Sequence, residues 1–301
     1  MSSWEKLKSV LISFSTKKEI DRNAVIEEIR NGLAGMLSKG ENFSVLLEHL
    51  PNSRYTYRAE MWSILLALGN LDKSIIDQNI ESYILIDKKV RKNLVGEVRR
   101  IRESQKEQKI QTDFESCCSF LVLLSGFLNK IESDNPLYQP LLTFGPLFLQ
   151  YFSFPISFFA FSQFVKFYAP KCYPHKKNGG RLLENPAKLA VQIAYEYSPP
   201  LKESYKNKMP EVSVSYAHLV SFFTQIKQLD QVSILFDFIF AFGTYFVIFF
   251  EAAWLVENPI QPEDPRTLPD ATKIIRRALD ILKKVAQSNP KVIDEAKAYY
   301  E

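Results

Sequence analysis

Cysteine is nearly missing from this chain: there are three, and two of them, Cys117 and Cys118, are adjacent. No Cys/His set with metal-ligand intervals results, and no even disulfide framework, so zinc modules and disulfide-stapled folds are excluded. A reduced intracellular compartment is expected. Histidine is equally scarce. His49, His175 and His218 are scattered, none at ligand spacing with Cys or Asp, so neither a metal nor a cofactor is expected. No glycine-rich phosphate loop occurs, and Gly179-Gly180 reads as a turn. An excess of one charge is missing too: the net charge of +4 is too small for a dedicated nucleic-acid binder. The stretch from Lys88 to Lys109 is basic, yet Glu97, Glu103 and Glu107 interrupt it and no aromatic side chains accompany it, so nucleic acid is not an expected partner. The opening Met-Ser-Ser-Trp-Glu-Lys lacks the apolar core of a signal peptide, and a cytoplasmic protein is expected.

Phenylalanine, by contrast, is abundant, with 23 copies that cluster in two apolar stretches, Pro136–Val165 and Val232–Phe250. The first is longer than the ~20 residues needed to span a bilayer. It is interrupted by Gln139, Gln150 and Gln163 and by Pro140, Pro146 and Pro155, while the second holds Asp237 and ends at Glu251. Core helices of a large helical domain explain both stretches, and no stable membrane insertion is expected. A hairpin membrane protein built on these two stretches is the alternative from another class.

Helical periodicity dominates and no strand alternation stands out, so the expected fold class is all-α. Lys18–Leu37 reads as an amphipathic helix stopped by Gly40, Phe43–Leu50 as a short helix ended by Pro51, and Arg58–Leu68 as an apolar-faced helix. A charged, solvated helix is expected over Val98–Gln108, followed by the apolar Phe114–Lys130. Loops are expected at Pro170–Pro186 and Ser198–Pro210. Val214–Ile226 and Val232–Val256 read as helical regions. After the proline-rich connector Pro259–Pro269, Asp270 is a good N-cap for an amphipathic helix over Ala271–Ala286. Three parts are delimited: N-terminal helices in 1–50, whose membership of the main domain is left open, a main domain over 51–290, and a tail over 291–301.

The order of landmarks resembles the TBC domain, the Rab-type GTPase-activating fold. Arg58-Ala59-Glu60-Met61-Trp62 matches that family's Arg-Gly-x-hydrophobic-Trp opening apart from Ala59. Phe236-Asp237-Phe238-Ile239-Phe240-Ala241-Phe242-Gly243 is similar to its Trp-Asp-x-x-Phe-x-x-Gly block. The plain reading of Asp237 is a structural buried acid, because an unsatisfied buried carboxylate costs several kcal/mol. Gly145-Pro146-Leu147-Phe148, Phe154-Pro155, the Lys177–Gly180 loop and Asp230-Gln231-Val232 resemble the fungal mitotic-exit, spindle-checkpoint branch in particular. The likeness runs from about Leu50 to Leu282.

That resemblance implies a single helical array that binds a small Ras/Rab-like GTPase, with a second subunit of the activating complex and a place at the spindle pole also implied. GTPase activation is mostly electrostatics and positioning, and an arginine supplied in trans can be worth ~10³–10⁵ in rate. In the family the arginine comes from Ile-x-x-Asp-x-x-Arg and a water-orienting glutamine from Tyr-x-Gln-Gly. The first maps onto Ile84–Val90, with Asp87 in place, Val90 at the finger position and Arg91 one residue late. The second falls on Pro136–Tyr138: Tyr138 takes the glutamine's place, and Gln139 is followed by Pro140, which denies it the backbone freedom of the family glycine. The site residues implied are therefore Arg91 and Gln139 as displaced fingers, with Arg58, Trp62, Asp87, Tyr138 and Asp237 as motif positions. Two forms are expected from this: a binding scaffold with altered fingers, or an active GTPase activator that uses Arg91. An unrelated helical interaction module is the third reading, and scattered positions for Arg58, Trp62 and Asp237 would favour it.

Overall fold

The N-terminal helices are the clearest case of local sequence specifying local structure. In the computed structural model, which describes residues 2–16, 21–69, 99, 103, 116, 119–124, 143–154, 156–169, 184–205, 211–258, 266–268 and 270–300, α1 spans Ser3–Thr16 and α2 spans Arg22–Lys39. Asp21 is the N-cap of α2, its side chain accepting from Asn23 N at 2.9 Å, and Gly40 closes the helix in the left-handed region at φ 67°. The helix expected from Lys18 thus starts at Arg22, where the cap lies; residues 17–20 fall outside the described residues. Val25, Ile29, Leu33 and Leu37 form its buried stripe. α1 packs closely on it because Gly32 and Gly35 have no side chains. A Cβ at Gly32 would stand 2.9 Å from Leu7 Cβ, and one at Gly35 would stand 2.5 Å from Ser3 Oγ.

A 3-10 turn, Phe43–Leu47, takes the place of the expected short helix, and an isolated bridge pairs His49 with Thr56. Thr56 then caps α3, Tyr57–Leu65. The remaining elements are α4 (Phe144–Leu149), α5 (Ile156–Gln163) with its π-helical extension Phe164–Tyr168, α6 (Glu184–Tyr197), α7 (Pro199–Tyr205), α8 (Glu211–Ser221), α9 (Leu229–Phe242), α10 (Phe246–Glu257), α11 (Ala271–Ser288) and α12 (Lys291–Tyr300). Among the described residues no strand occurs, and the fold is all-α. Asp270 caps α11 as its sequence predicts, accepting from Lys273 N at 3.1 Å. Residues 291–300, which the sequence offers as a tail, form α12, and Tyr300 at its end is fully buried against Phe222.

The long apolar run Val232–Phe250 is broken in two. Gly243, at φ 119° and ψ 154°, ends α9, and α10 begins three residues later. The resulting helices have 14 and 12 residues, below the ~20 that cross a bilayer. Among the described residues no helix is long and apolar enough to cross a membrane. Both helices are instead buried on nearly all sides. α9 packs against α2, α3 and α11, while α10 packs against α6 and α11.

One hydrophobic cluster runs from Trp4 to Tyr300 and includes every described α-helix. At its centre Phe144, Phe148, Phe161, Phe164, Phe222, Phe236 and Phe240 meet mostly edge-on or tilted, at centroid distances from 5.2 to 6.4 Å. Offset and edge contacts of this kind are worth about 0.5–1.5 kcal/mol per pair beyond area burial. Three arginines fasten helix ends across the fold. Arg22 donates from Nε and Nη2 to Ile64 O and Leu65 O of α3, both at 2.8 Å; Arg30 Nε donates to Ala241 O of α9 at 2.5 Å; Arg276 Nη2 donates to Leu37 O of α2 at 3.0 Å. Carbonyls in a helix's last turn lack an intrahelical donor, and a cation there is favoured by the helix dipole. Two of these arginines lie within the first fifty residues, so that segment shares the core of the rest.

Candidate functional site

Arg58 and Trp62 are four residues apart, one turn of α3, and therefore project from the same face. Asp237 lies in the middle of α9, where its neighbours Phe236, Phe238, Ile239 and Phe240 are all buried hydrophobics. The packing of α3 on α9 joins the three. Trp62 Nε1 donates to Asp237 Oδ1 at 2.8 Å. Arg58 Nε lies 3.1 Å from both carboxylate oxygens, and its Nη2 lies 3.0 Å from Oδ2. The side chains of Arg58 and Asp237 are 2% and 0% exposed, so this ion pair is sealed from solvent. Arg58 Nη2 also reaches Phe43 O at 3.5 Å.

A third helix joins through Tyr151, just past the end of α4. Arg58 Nη1 donates to Tyr151 Oη at 3.2 Å, Tyr151 Oη donates to Ser233 Oγ at 2.8 Å, and Ser233 Oγ donates to Leu229 O at 2.9 Å. Each hydroxyl accepts once and donates once, so the relay runs in one direction from Arg58 to α9. The Tyr151 ring stands edge-on to Trp62 at 4.8 Å and carries the Arg58 guanidinium over its face at 5.6 Å. Burial pushes the Asp237 carboxyl up to about 6, against the opposing pull of Arg58 and Trp62, so it is ionised at neutral pH. For Arg58, burial works against the charge, but the Asp237 carboxylate and Tyr151 outweigh it and hold the guanidinium above its ordinary range. The Arg58–Asp237 pair at the centre of the cluster is buried and bonded to Trp62, Tyr151 and Phe43 O. Its chemistry is structural: a charge pair that locks three helices together.

A second buried polar cluster was not anticipated from the sequence. Glu251, on α10, is fully buried; Ser215 Oγ donates to its Oε1 at 2.6 Å and His218 Nδ1 lies 2.7 Å from its Oε2. The serine faces the glutamate and not the histidine, so this is not a relay that would activate a nucleophile. The imidazole stacks on Phe223 at 5.0 Å and meets Trp254 edge-on at 4.8 Å. Phe222 and Phe223 hold φ of 48° and 64°, a conformation costly for bulky side chains. Phe223 N donates to His218 O at 2.8 Å, and both rings are buried, which is what fixes this elbow after α8. Glu251 alone in an apolar run, with Ser215 and His218 three residues apart on a preceding helix, was the available signal. Neither end of it carried a recognisable motif.

Of the expected site residues, Arg58, Trp62 and Asp237 are brought together. Asp87, Arg91, Tyr138 and Gln139 lie outside the described residues, as do Val90 and the lysines beside it. Arg99 and Glu103, in the expected solvated helix, are helical and exposed, and residues 119–124 of the apolar segment are helical with Phe120 and Leu124 buried. His49 is exposed. Among the described residues no group of three His, Cys, Asp or Glu side chains is placed to hold a metal ion. An open groove of about 370 Å³ lies between α6 and α7, with Val191 and Tyr195 among its walls and Lys188 and Lys202 among its charged groups. Lys188 is already paired with Glu184, and Gln192 with Glu196. Comparison with known protein families finds no match to this chain, and comparison with curated proteins finds none either.

Proposed function

We propose that this protein is a TBC-type regulator that binds a small Ras/Rab-like GTPase, with its catalytic fingers altered so that it acts chiefly as a binding scaffold. One observation supports the reading above the others. The two segments that carry the family resemblance, Arg58–Trp62 and Phe236–Gly243, lie more than 170 residues apart, and their signature polar residues converge on a single buried carboxylate. Scattered positions for these residues would have favoured an unrelated helical module, and they are not scattered.

The finger positions themselves give the direction of the chemistry. A valine at position 90 cannot stabilise charge on a transferring phosphoryl group, and a tyrosine at position 138 cannot replace an amide in orienting water. Arg91 is the residue able to restore activity. A place in mitotic-exit signalling, with a partner subunit at the spindle pole, belongs to the same proposal.

The test is GTP hydrolysis and binding across a panel of Ras- and Rab-type GTPases, with the wild-type protein and its Arg91→Ala and Gln139→Ala variants. Binding to one GTPase without faster hydrolysis is the expected result. Stimulation that disappears in Arg91→Ala would establish an active finger and overturn the scaffold form. No binding across the panel would overturn the assignment as a whole.

A further inference from the structure

The segment between α3 and α4 holds both finger motifs, and its two ends are anchored by described residues. At the α3 end, Leu65 O accepts from Arg22 Nη2 at 2.8 Å and from Tyr168 Oη at 2.5 Å. The chain then turns through Ala67 at φ 56° and Gly69 at φ 76°. At the α4 end, Thr143 Oγ1 lies 2.5 Å from Thr224 Oγ1, and Phe144 is wedged among Phe164, Phe222 and Phe236. Trp62 of α3 packs directly on Phe148 of α4 at 6.1 Å, and Tyr151 adds directional bonds between the two ends. Its hydroxyl accepts from Arg58 on α3 and donates to Ser233 on α9, while its own backbone continues directly from α4.

We propose that Tyr151 is a positioning residue: its hydroxyl ties α3 and α4 to α9 and so sets the relative placement of the two chain ends between which the finger motifs lie. The inference rests on the reading under Proposed function for its meaning in GTPase binding, though not for the tie itself. A buried Arg58–Asp237 pair alone would hold α3 to α9 and leave the C-terminal end of α4, beyond the Thr143–Thr224 contact at its start, dependent on apolar contacts, which tolerate sliding. A directional relay from guanidinium to phenol to serine to the first-turn carbonyl of α9 does not, because each bond requires a defined distance and angle. Tyr151→Phe keeps the ring packed edge-on against Trp62 and removes the hydroxyl alone.

The experiment compares Tyr151→Phe, Ser233→Ala and the double variant with the wild-type full chain. The readout is hydrogen exchange at residues 66–69 and 143–149. Ile281→Val, a core trim on α11, which contributes no residue to the relay, is the control for general loss of stability. Loss of one net hydrogen bond raises local opening about fivefold. Tyr151→Phe removes the bonds to Arg58 and Ser233, and Ser233→Ala removes those to Tyr151 and Leu229 O. Exchange at both chain ends is therefore expected to rise by at least that factor in each single variant. In the double variant it should rise by less than the product of the two, because the Tyr151–Ser233 bond is lost in both. Ile281→Val is expected to lower the melting midpoint and leave those amides unchanged. Equal exchange changes in Ile281→Val and Tyr151→Phe, or none in Tyr151→Phe, would overturn the tie. A GTPase found to bind the wild type should bind Tyr151→Phe more weakly, by the factor by which the closed fraction falls. If no GTPase binds the wild type, the functional reading fails, while the exchange data still decide the tie.

Discussion

Asp237 is where the largest single-residue effect is expected. Removing the carboxylate leaves Arg58 charged in a site with almost no water, and breaking one side of a buried pair costs about 3–5 kcal/mol. Asp237→Ala should therefore lower the urea midpoint steeply or prevent folding. Replacing both partners, as in Arg58→Met with Asp237→Leu, should recover much of that loss, because the uncompensated charge is gone. Urea melts of the wild type and these two variants check this; a double variant no more stable than Asp237→Ala would mean that lost packing and not stranded charge dominates. Glu251 follows the same logic at smaller scale. Glu251→Ala strands the Ser215 hydroxyl and His218 Nδ1 and should cost about 1–3 kcal/mol, measurable by the same melts.

At the scale of the element, α1 is held at its N-terminus by a side chain from beyond α2. Glu41 accepts from Ser3 N at 2.9 Å and from Trp4 N at 2.8 Å. Burial pushes the Glu41 carboxyl up, but these two backbone donors and nearby Lys39 outweigh it and hold it below the usual glutamate value. A folded-state value below the unfolded one contributes stability that is present above the ordinary carboxylate range and is lost as pH falls through the folded value. Acidification should therefore release α1 before the core melts, and Glu41→Gln should abolish that early step. The fluorescence of Trp4, which meets Tyr57 edge-on at 5.0 Å, is the probe. A Trp4 transition identical in the two proteins would refute the assignment. The α1–α2 pairing also depends on close approach. Gly35→Leu has no room beside Ser3 and should displace α1 outright, seen as new protease sensitivity within residues 3–16.

For the whole molecule at neutral pH, where ionised Glu41 holds α1 in place, the continuity of the core from Trp4 to Tyr300 predicts one cooperative unfolding transition that includes both termini. Tyr300 closes that core against Phe222, so Tyr300→Ala should cost about 3 kcal/mol, as buried aromatic truncations do. Calorimetry and near-ultraviolet dichroism should give the same midpoint for the wild type. Separate transitions would mean that α1–α2 or α11–α12 fold as independent units.

Much of this was legible in the sequence. Gly40, Asp270 and the apolar stripes of α2 and α11 specified those helices, since caps and periodicity act over a few residues and need no distant partner. The grouping of Arg58, Trp62 and Asp237 was legible only through resemblance, and the motif positions it names in 70–142 lie outside the described residues. Other features were closed to local reasoning. Whether Val232–Phe250 runs straight or bends depends on Gly243 adopting a conformation that the packing of α10 against α6 and α11 stabilises. The tail became α12 because its apolar side found a vacancy that no sequence window reveals. His218 and Glu251 pair across 33 residues, and Tyr151 reaches Arg58 across 93.

By itself the sequence determined the helical class, the caps and the faces that must be buried, because hydrophobic periodicity and backbone hydrogen bonding are settled within a turn or two. Only the tertiary structure decided which buried charges meet. A carboxylate in an apolar helix announces that it needs a partner, but its identity depends on which helix crosses it, and that choice is made by the packing of the whole core.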